Sequence, residues 1–193
     1  DNGLDVIVRR NIICRGSSHG IQMRSGGLCE GNFFYRNPIQ VFSGYDTPVD
    51  GSTATVRDNV ILEATDIISS QPRGWGITLK NLVSATVMRN IVAHVKSSGP
   101  NVISIENWPF ASYADNVVYN WPTPTASRGK MFDTPGPWVD PNRTPLSYCE
   151  RLGIPGTESE FFARIRSQSR DNWRSEFTAK EIGDYIRAGF SPL

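Results

Sequence analysis

Five stretches of the chain carry one phrase, an asparagine followed by apolar residues. They are VRRNIICRG, CEGNFFYRN, VRDNVILEA, VMRNIVAHV and YADNVVYNW, centred on Asn11, Asn32, Asn59, Asn90 and Asn116. The asparagines are 21, 27, 31 and 26 residues apart. A unit recurring roughly every 20 to 30 residues marks a repeat architecture, in which each unit buries its apolar face only against its neighbours.

A second phrase lies between the first: HGIQMR (19–24), NPIQVF (37–42), WGITLK (75–80) and NVISIE (101–106). Each alternates apolar and polar residues, the period of a strand with one buried face. Helical periodicity is absent from residues 4–121. Each repeat therefore holds at least two short strands and no crossover helix. That excludes leucine-rich and α/β solenoids and predicts an all-β chain, a parallel β-solenoid whose strands stack about 4.8 Å apart. Asparagine suits its recurring turn, because it tolerates left-handed backbone angles and bonds neighbouring backbone. Five stacked amides can form a ladder that satisfies polar groups a buried turn leaves unpaired. Asp58 and Asp115, each just before a ladder asparagine, read as turn residues.

The 193 residues carry a net charge of +1. No whole-chain field draws this protein to nucleic acid or an anionic bilayer, and no apolar run is long enough to cross a membrane. Three cysteines, Cys14, Cys29 and Cys149, show neither disulfide nor zinc spacing. They read as small hydrophobes. Two histidines, His19 and His94, cannot build a multi-histidine metal site.

Stretches 45–52 and 67–74 are rich in Pro, Gly, Asp and Ser, and read as loops projecting from the coils. Residues 122–156 read as an irregular Pro/Gly-rich surface segment. Residues 157–193 read as a two-helix cap over the last coil. Thr157 with Glu160 and Thr178 with Glu181 are spaced as capping boxes. Phe161, Phe162 and Ile165 form one apolar stripe, and Ile182, Tyr185 and Ile186 another, with Trp173 between the helices. The chain opens almost directly in a coil, so further coils of the same protein, or a second chain, are expected at that end.

Alternation sends Ile21, Met23, Ile39, Val41, Ile77, Leu79, Ile103 and Ile105 into the core. It predicts two outward columns, Gln22–Gln40–Thr78–Ser104 and Arg24–Phe42–Lys80–Glu106, with His19, Tyr45, Trp75 and Trp108 in nearby turns. Such a face suits a sugar polymer: aromatic rings stack on pyranose faces, amides and hydroxyls bond sugar hydroxyls, and cations meet uronate carboxylates. The expected binding set is Gln22, Gln40, Phe42, Thr78, Glu106, Trp75 and His19. β-Elimination from a uronate needs a carboxylate neutraliser, a base and an acid, and Arg24 and Lys80 are the candidate catalytic residues. A hydrolase would need two carboxylates about 5 to 9 Å apart; Glu106, Asp66, Glu63, Asp58 and Asp115 are the candidates, and only Glu106 falls on the outward face.

The asparagine repeat over residues 4–121 resembles the right-handed parallel β-helix, or pectate-lyase-like, superfamily. Within it, GIQMRSGGLCEGNFFYRN is similar to a stretch of alginate lyases and chondroitinase B, an apolar–Arg–His–Gly turn followed by VEGNFF. The resemblance implies that Arg24 is a catalytic acid; Ser25 stands where that family has histidine. It also implies a lysine base and Ca2+-binding carboxylates on earlier coils, which would precede Asp1. The expected activity is recognition and β-elimination of an acidic polysaccharide at an extracellular, cell or virion surface. The alternative is a non-catalytic glycan-binding spike or adhesin module.

Overall fold

The computed structural model describes residues 6–48, 50–68, 70, 73–93, 103–106, 110–120, 138–168 and 171–190, with backbone alone at 103–106, 110 and 111. Among them are fourteen strands and three short helices. The strands run in sets of three. β1 (Ile7–Arg9), β2 (Ile12–Cys14) and β3 (His19–Met23) are followed by β4 (Gly26–Glu30), β5 (Phe33–Tyr35) and β6 (Ile39–Gly44). β7 (Thr53–Arg57), β8 (Val60–Leu62) and β9 (Trp75–Lys80) come next. Then come β10 (Ser84–Met88), β11 (Ile91–Ala93) and β12 (Ile103–Glu106), and last β13 (Phe110–Ala114) and β14 (Val117–Tyr119).

Every third strand joins the same sheet. Sheet I is β1-β4-β7-β10-β13, sheet II is β2-β5-β8-β11-β14, and sheet III is β3-β6-β9-β12. All the strand pairings are parallel. One apolar core draws on all three: Cys29, Val56 and Val87 from sheet I, Phe34, Ile61 and Val92 from sheet II, and Met23, Val41, Ile77 and Leu79 from sheet III.

The asparagines stack at the corner between sheets I and II. Oδ1 of Asn32 accepts from the backbone N–H of Asn11 at 2.9 Å, and the same link runs from Asn32 to Asn59 (2.9 Å), Asn59 to Asn90 (3.1 Å) and Asn90 to Asn116 (3.0 Å). Each Nδ2 donates to the next Oδ1 as well, at 2.9 to 3.3 Å. Nδ2 of Asn32, Asn59, Asn90 and Asn116 also donates to the carbonyl of Val8, Cys29, Val56 and Val87. The backbone on either side pairs with the next set of strands, as in Asp58 N–H to Met88 O at 3.1 Å and Val60 N–H to Asn32 O at 3.0 Å. The corner thus leaves few polar groups without partners. The left-handed angle falls one residue earlier than the sequence reading placed it. Arg10, Gly31, Asp58, Arg89 and Asp115 have φ of 51° to 62°. The asparagine supplies the amide and its predecessor makes the bend.

Sheet II explains why the phrase is apolar without alternation. Phe34, Ile61, Val92 and Val118 enter the common core, while Phe33, Tyr35, Val60, Leu62, Ile91, Ala93 and Val117 pack in a second cluster on the opposite face. A sheet buried on both faces reads as a continuous apolar run. The cover is helical: α1 (Pro145–Arg151), α2 (Glu158–Ser167) and α3 (Ala179–Arg187) contribute Tyr148, Cys149, Phe161, Phe162, Ile182 and Ile186. Thr157 and Thr178 accept from the N–H groups of Glu160 and Glu181, as their spacing predicts.

Three expectations about this region are corrected. α1 forms inside a stretch read as irregular, begun by Pro145 after the Thr144 cap; a proline in the first turn needs no N–H partner. The helices lie along the outer face of sheet II, drawn there by its second apolar face. Trp173 is 60% exposed, and Phe177 fills the place between the helices. Residues 121–137 lie outside the described ones. The three cysteines are free, and burial pushes the Cys29 thiol up to about 12, which suits packing over reactivity. Among the described residues no helix is long and apolar enough to cross a membrane.

Asn59 is fully buried in the ladder. Asn59→Ala strands the Asn32 amide and the Cys29 carbonyl, and should lower unfolding free energy by about 1 to 3 kcal/mol. Asn11→Ala, at an exposed position, should cost less. Urea unfolding of both variants checks the order, and equal midpoints for Asn59→Ala and the parent would contradict the ladder.

Candidate functional site

Helices cover the outer face of sheet II, so the candidate residues gather on sheet III and at its corner with sheet II. The register along sheet III is His19–Ile39–Trp75, Ile21–Val41–Ile77, then Gln22–Phe42–Thr78–Ser104. Gly44, Lys80 and Glu106 form a further column. Phe42 therefore lies between Gln22 and Thr78, two residues from the place expected beside Lys80. A slip of two keeps every side chain on its own face, so the apolar pattern could not reveal it. Arg24 follows Met23, which pairs with Ser43, so its neighbour one strand on is Gly44.

Two residues of the expected binding set are buried. Gln40 is fully buried. Its Oε1 accepts from Asn37 Nδ2 at 2.7 Å, and its Nε2 donates to the Leu62 carbonyl at 2.8 Å. Asn37 in turn accepts from the Gly16 N–H at 2.7 Å and donates to the Ile13 carbonyl at 2.9 Å. This amide pair serves the corner between sheets II and III, and alternation fails there. A Cβ on Gly20 would fall 2.5 Å from the Gln40 carbonyl oxygen, so glycine is required for the close approach. Thr78 is 1% exposed, and its hydroxyl has no hydrogen-bond partner among the described residues. The side chains of Ser104 and Glu106, and Trp108 altogether, lie outside the described residues.

The accessible groups cluster around His19. Its ring meets Phe42 edge-on, centroids 5.4 Å apart, and its Nδ1 shares a hydrogen bond with Ser18 Oγ at 3.0 Å. Gln22 on the same strand and Arg24 in the turn just after it are exposed. The Arg24 guanidinium lies 4.9 Å over the Tyr45 ring, and Arg73 lies 5.2 Å over Trp75. Burial lowers the His19 pKa, and the charges of Arg73 and then Arg24 lower it further. The imidazole is thus neutral at neutral pH and able to accept a proton.

Two inserted loops deliver these groups and both are tied down. Asn81 Nδ2 donates to the carbonyls of Tyr45 (2.9 Å) and Asp46 (2.8 Å), and Lys80 Nζ donates to Asp46 Oδ1 at 2.9 Å. Asp66 Oδ1 accepts from the Arg73 N–H at 2.6 Å, and Gly74 N–H donates to the Thr65 carbonyl at 3.0 Å. Lys80 is held toward the loop carboxylate. Arg73 was missed by the sequence reading, because it sits in an insertion with no strand pattern to aim it. The Pro- and Gly-rich composition flagged the stretch as a projecting loop, and that was the only signal.

Among the described residues no group of three or more His, Cys, Asp or Glu side chains is arranged to hold a metal ion. The Ca2+ implied by the lyase resemblance has no ligand set there, and no chemical step is drawn through it.

If the neighbouring guanidiniums hold His19 down, Arg73→Ala should raise its pKa toward the ordinary imidazole value. NMR titration of the His19 ring protons measures this, and an unmoved pKa would contradict the arrangement. No protein-family model, no curated protein and no solved structure matches the chain, which leaves the geometry to carry the functional reading.

Proposed function

We propose that the three sheets are the faces of one right-handed parallel β-helix, and that the edge of sheet III around His19 binds an acidic polysaccharide and cleaves it by β-elimination. The strand order, repeating in threes with wholly parallel pairing, supports the helix. The observation that carries the function is the grouping of the His19 ring edge-on to Phe42 with the Arg24 guanidinium over Tyr45 and the Arg73 guanidinium over Trp75, both cations acting on the imidazole.

In this reading Arg24 and Arg73 hold the uronate carboxylate. Their charge stabilises the carbanion that develops when the C5 proton leaves. His19 takes that proton. The electron pair forms the C4–C5 double bond, the C4–O glycosidic bond breaks, and the leaving oxygen takes a proton from solvent at this exposed edge. Lys80 was the first candidate for a catalytic partner of Arg24. It lies two strands from Arg24, about 10 Å, with its ammonium on Asp46, so the base is assigned to His19. Gln22, Phe42 and Trp75 line the sugar. The Lys80–Asp46 pair favours a second reading, a glycan-binding spike or adhesin module at a cell or virion surface that grips the polymer without cutting it.

Ultraviolet absorbance of unsaturated products from alginate, polygalacturonate and chondroitin separates the two. The lyase reading predicts a signal that falls at least about 100-fold in His19→Ala and is lost in Arg24→Ala. It also predicts an acidic limb below the ordinary imidazole pKa, because the base form persists until pH drops through the lowered value. Binding without any absorbance change would establish the second reading. Neither binding nor turnover on any acidic polymer would reject both.

A further inference from the structure

The corner between sheets II and III has a groove that the proposed reaction does not use. Three successive connections form it: 15–18 between β2 and β3, 36–38 between β5 and β6, and residues 65–67 of the connection after β8. The first turn of α2 borders it. The groove is open to solvent, with a volume of about 410 Å³, and Arg15, Ser17, Arg36, Thr65, Asp66 and Glu158 line it. That volume lies within the range of small-molecule sites.

Its charges are not equivalent. Arg36 is ion-paired with Glu158 and donates to the Tyr35 hydroxyl. Arg15 is exposed, its guanidinium 5.1 Å over the Phe162 ring, and no carboxylate among the described residues pairs with it. The groove therefore offers one available cation, the hydroxyls of Ser17 and Thr65, and the Asp66 carboxylate as an acceptor. That set matches a sugar unit bearing both a carboxylate and hydroxyls.

Both walls lead to the proposed centre. Ser17 lies in the groove, and the next residue, Ser18, bonds the His19 ring. Asp66 lies in the groove, and its carboxylate holds the Arg73 backbone. We propose that this corner is a second uronate-binding subsite, taking a neighbouring unit of the polymer bound at His19, with Arg15 as its carboxylate partner. This rests on the acidic-polysaccharide reading of the His19 site. A polymer that fills both places makes the protein a reader of chain length as well as of charge.

Calorimetric titration with oligouronates from disaccharide to octasaccharide tests it, using the parent, Arg15→Asn and Arg15→Lys. Asparagine is chosen because Arg15 has a φ of 55°, which asparagine tolerates. The parent should gain affinity as the oligomer grows long enough to span both places. Arg15→Asn should lose about tenfold on the long oligomers and nothing on the disaccharide. Arg15→Lys should recover most of the loss. Identical length dependence in the parent and Arg15→Asn would overturn the second subsite and leave the His19 reading intact. No oligouronate binding by the parent at any length would overturn both.

Discussion

Each ladder asparagine hands its side-chain oxygen to the backbone N–H of the asparagine before it, and that exchange fixes how the strands stack. A chain that turns at one place in every repeat brings the same backbone groups into the same buried corner each time. Water cannot reach them, so they need partners from within. The amide oxygen accepts from the previous set of strands, and the amide nitrogen donates both onward to the next asparagine and back to a carbonyl of the previous set. The residue before it takes the left-handed angle. Division of the work between two positions explains why only one is constant in type: Arg, Gly and Asp all serve for the bend, while the amide is always asparagine.

With the corner fixed, the two faces of sheet II decide the rest of the architecture. One enters the common core. The other, with Phe33, Tyr35, Val60, Leu62 and Ile91, would be a large exposed apolar surface without its helices. Phe161, Phe162, Ile182 and Ile186 cover it. That cover leaves outward positions of sheets I and III accessible among the described residues. The two inserted loops rise beside sheet III, so the aromatic and cationic groups are drawn to one edge. Their anchoring to Asn81, Lys80 and Asp66 holds the site in place before a ligand arrives.

The sequence made the parallel repeat, the core positions Met23, Val41, Ile77 and Leu79 of sheet III and the helix caps at Thr157 and Thr178 legible, because each follows from a period or a fixed offset. Register was not legible: a two-residue slip leaves Phe42 outward either way, and only three-dimensional pairing sets it beside Gln22 and Thr78. Gln40 looked like an outward residue because alternation assumes a straight strand. The close approach at Gly20 breaks that assumption and turns the amide into the corner. His19 and Trp75, read as turn residues, open β3 and β9, whereas the exposure of Gln22 and Arg24 was legible. The low pKa of His19 was not, since it depends on burial and on Arg73, which a loop of no fixed pattern carries to it.

We propose that an acidic glycan lies along the edge of sheet III and around its corner with sheet II. Hydrogen–deuterium exchange with and without a saturating polyuronate reads this most directly. The account predicts slowed exchange confined to residues 15–24, 36–46 and 64–75, with the turns of the asparagine ladder and the helices unchanged. Protection on sheet I or on the helices, with none at the His19 edge, would contradict it.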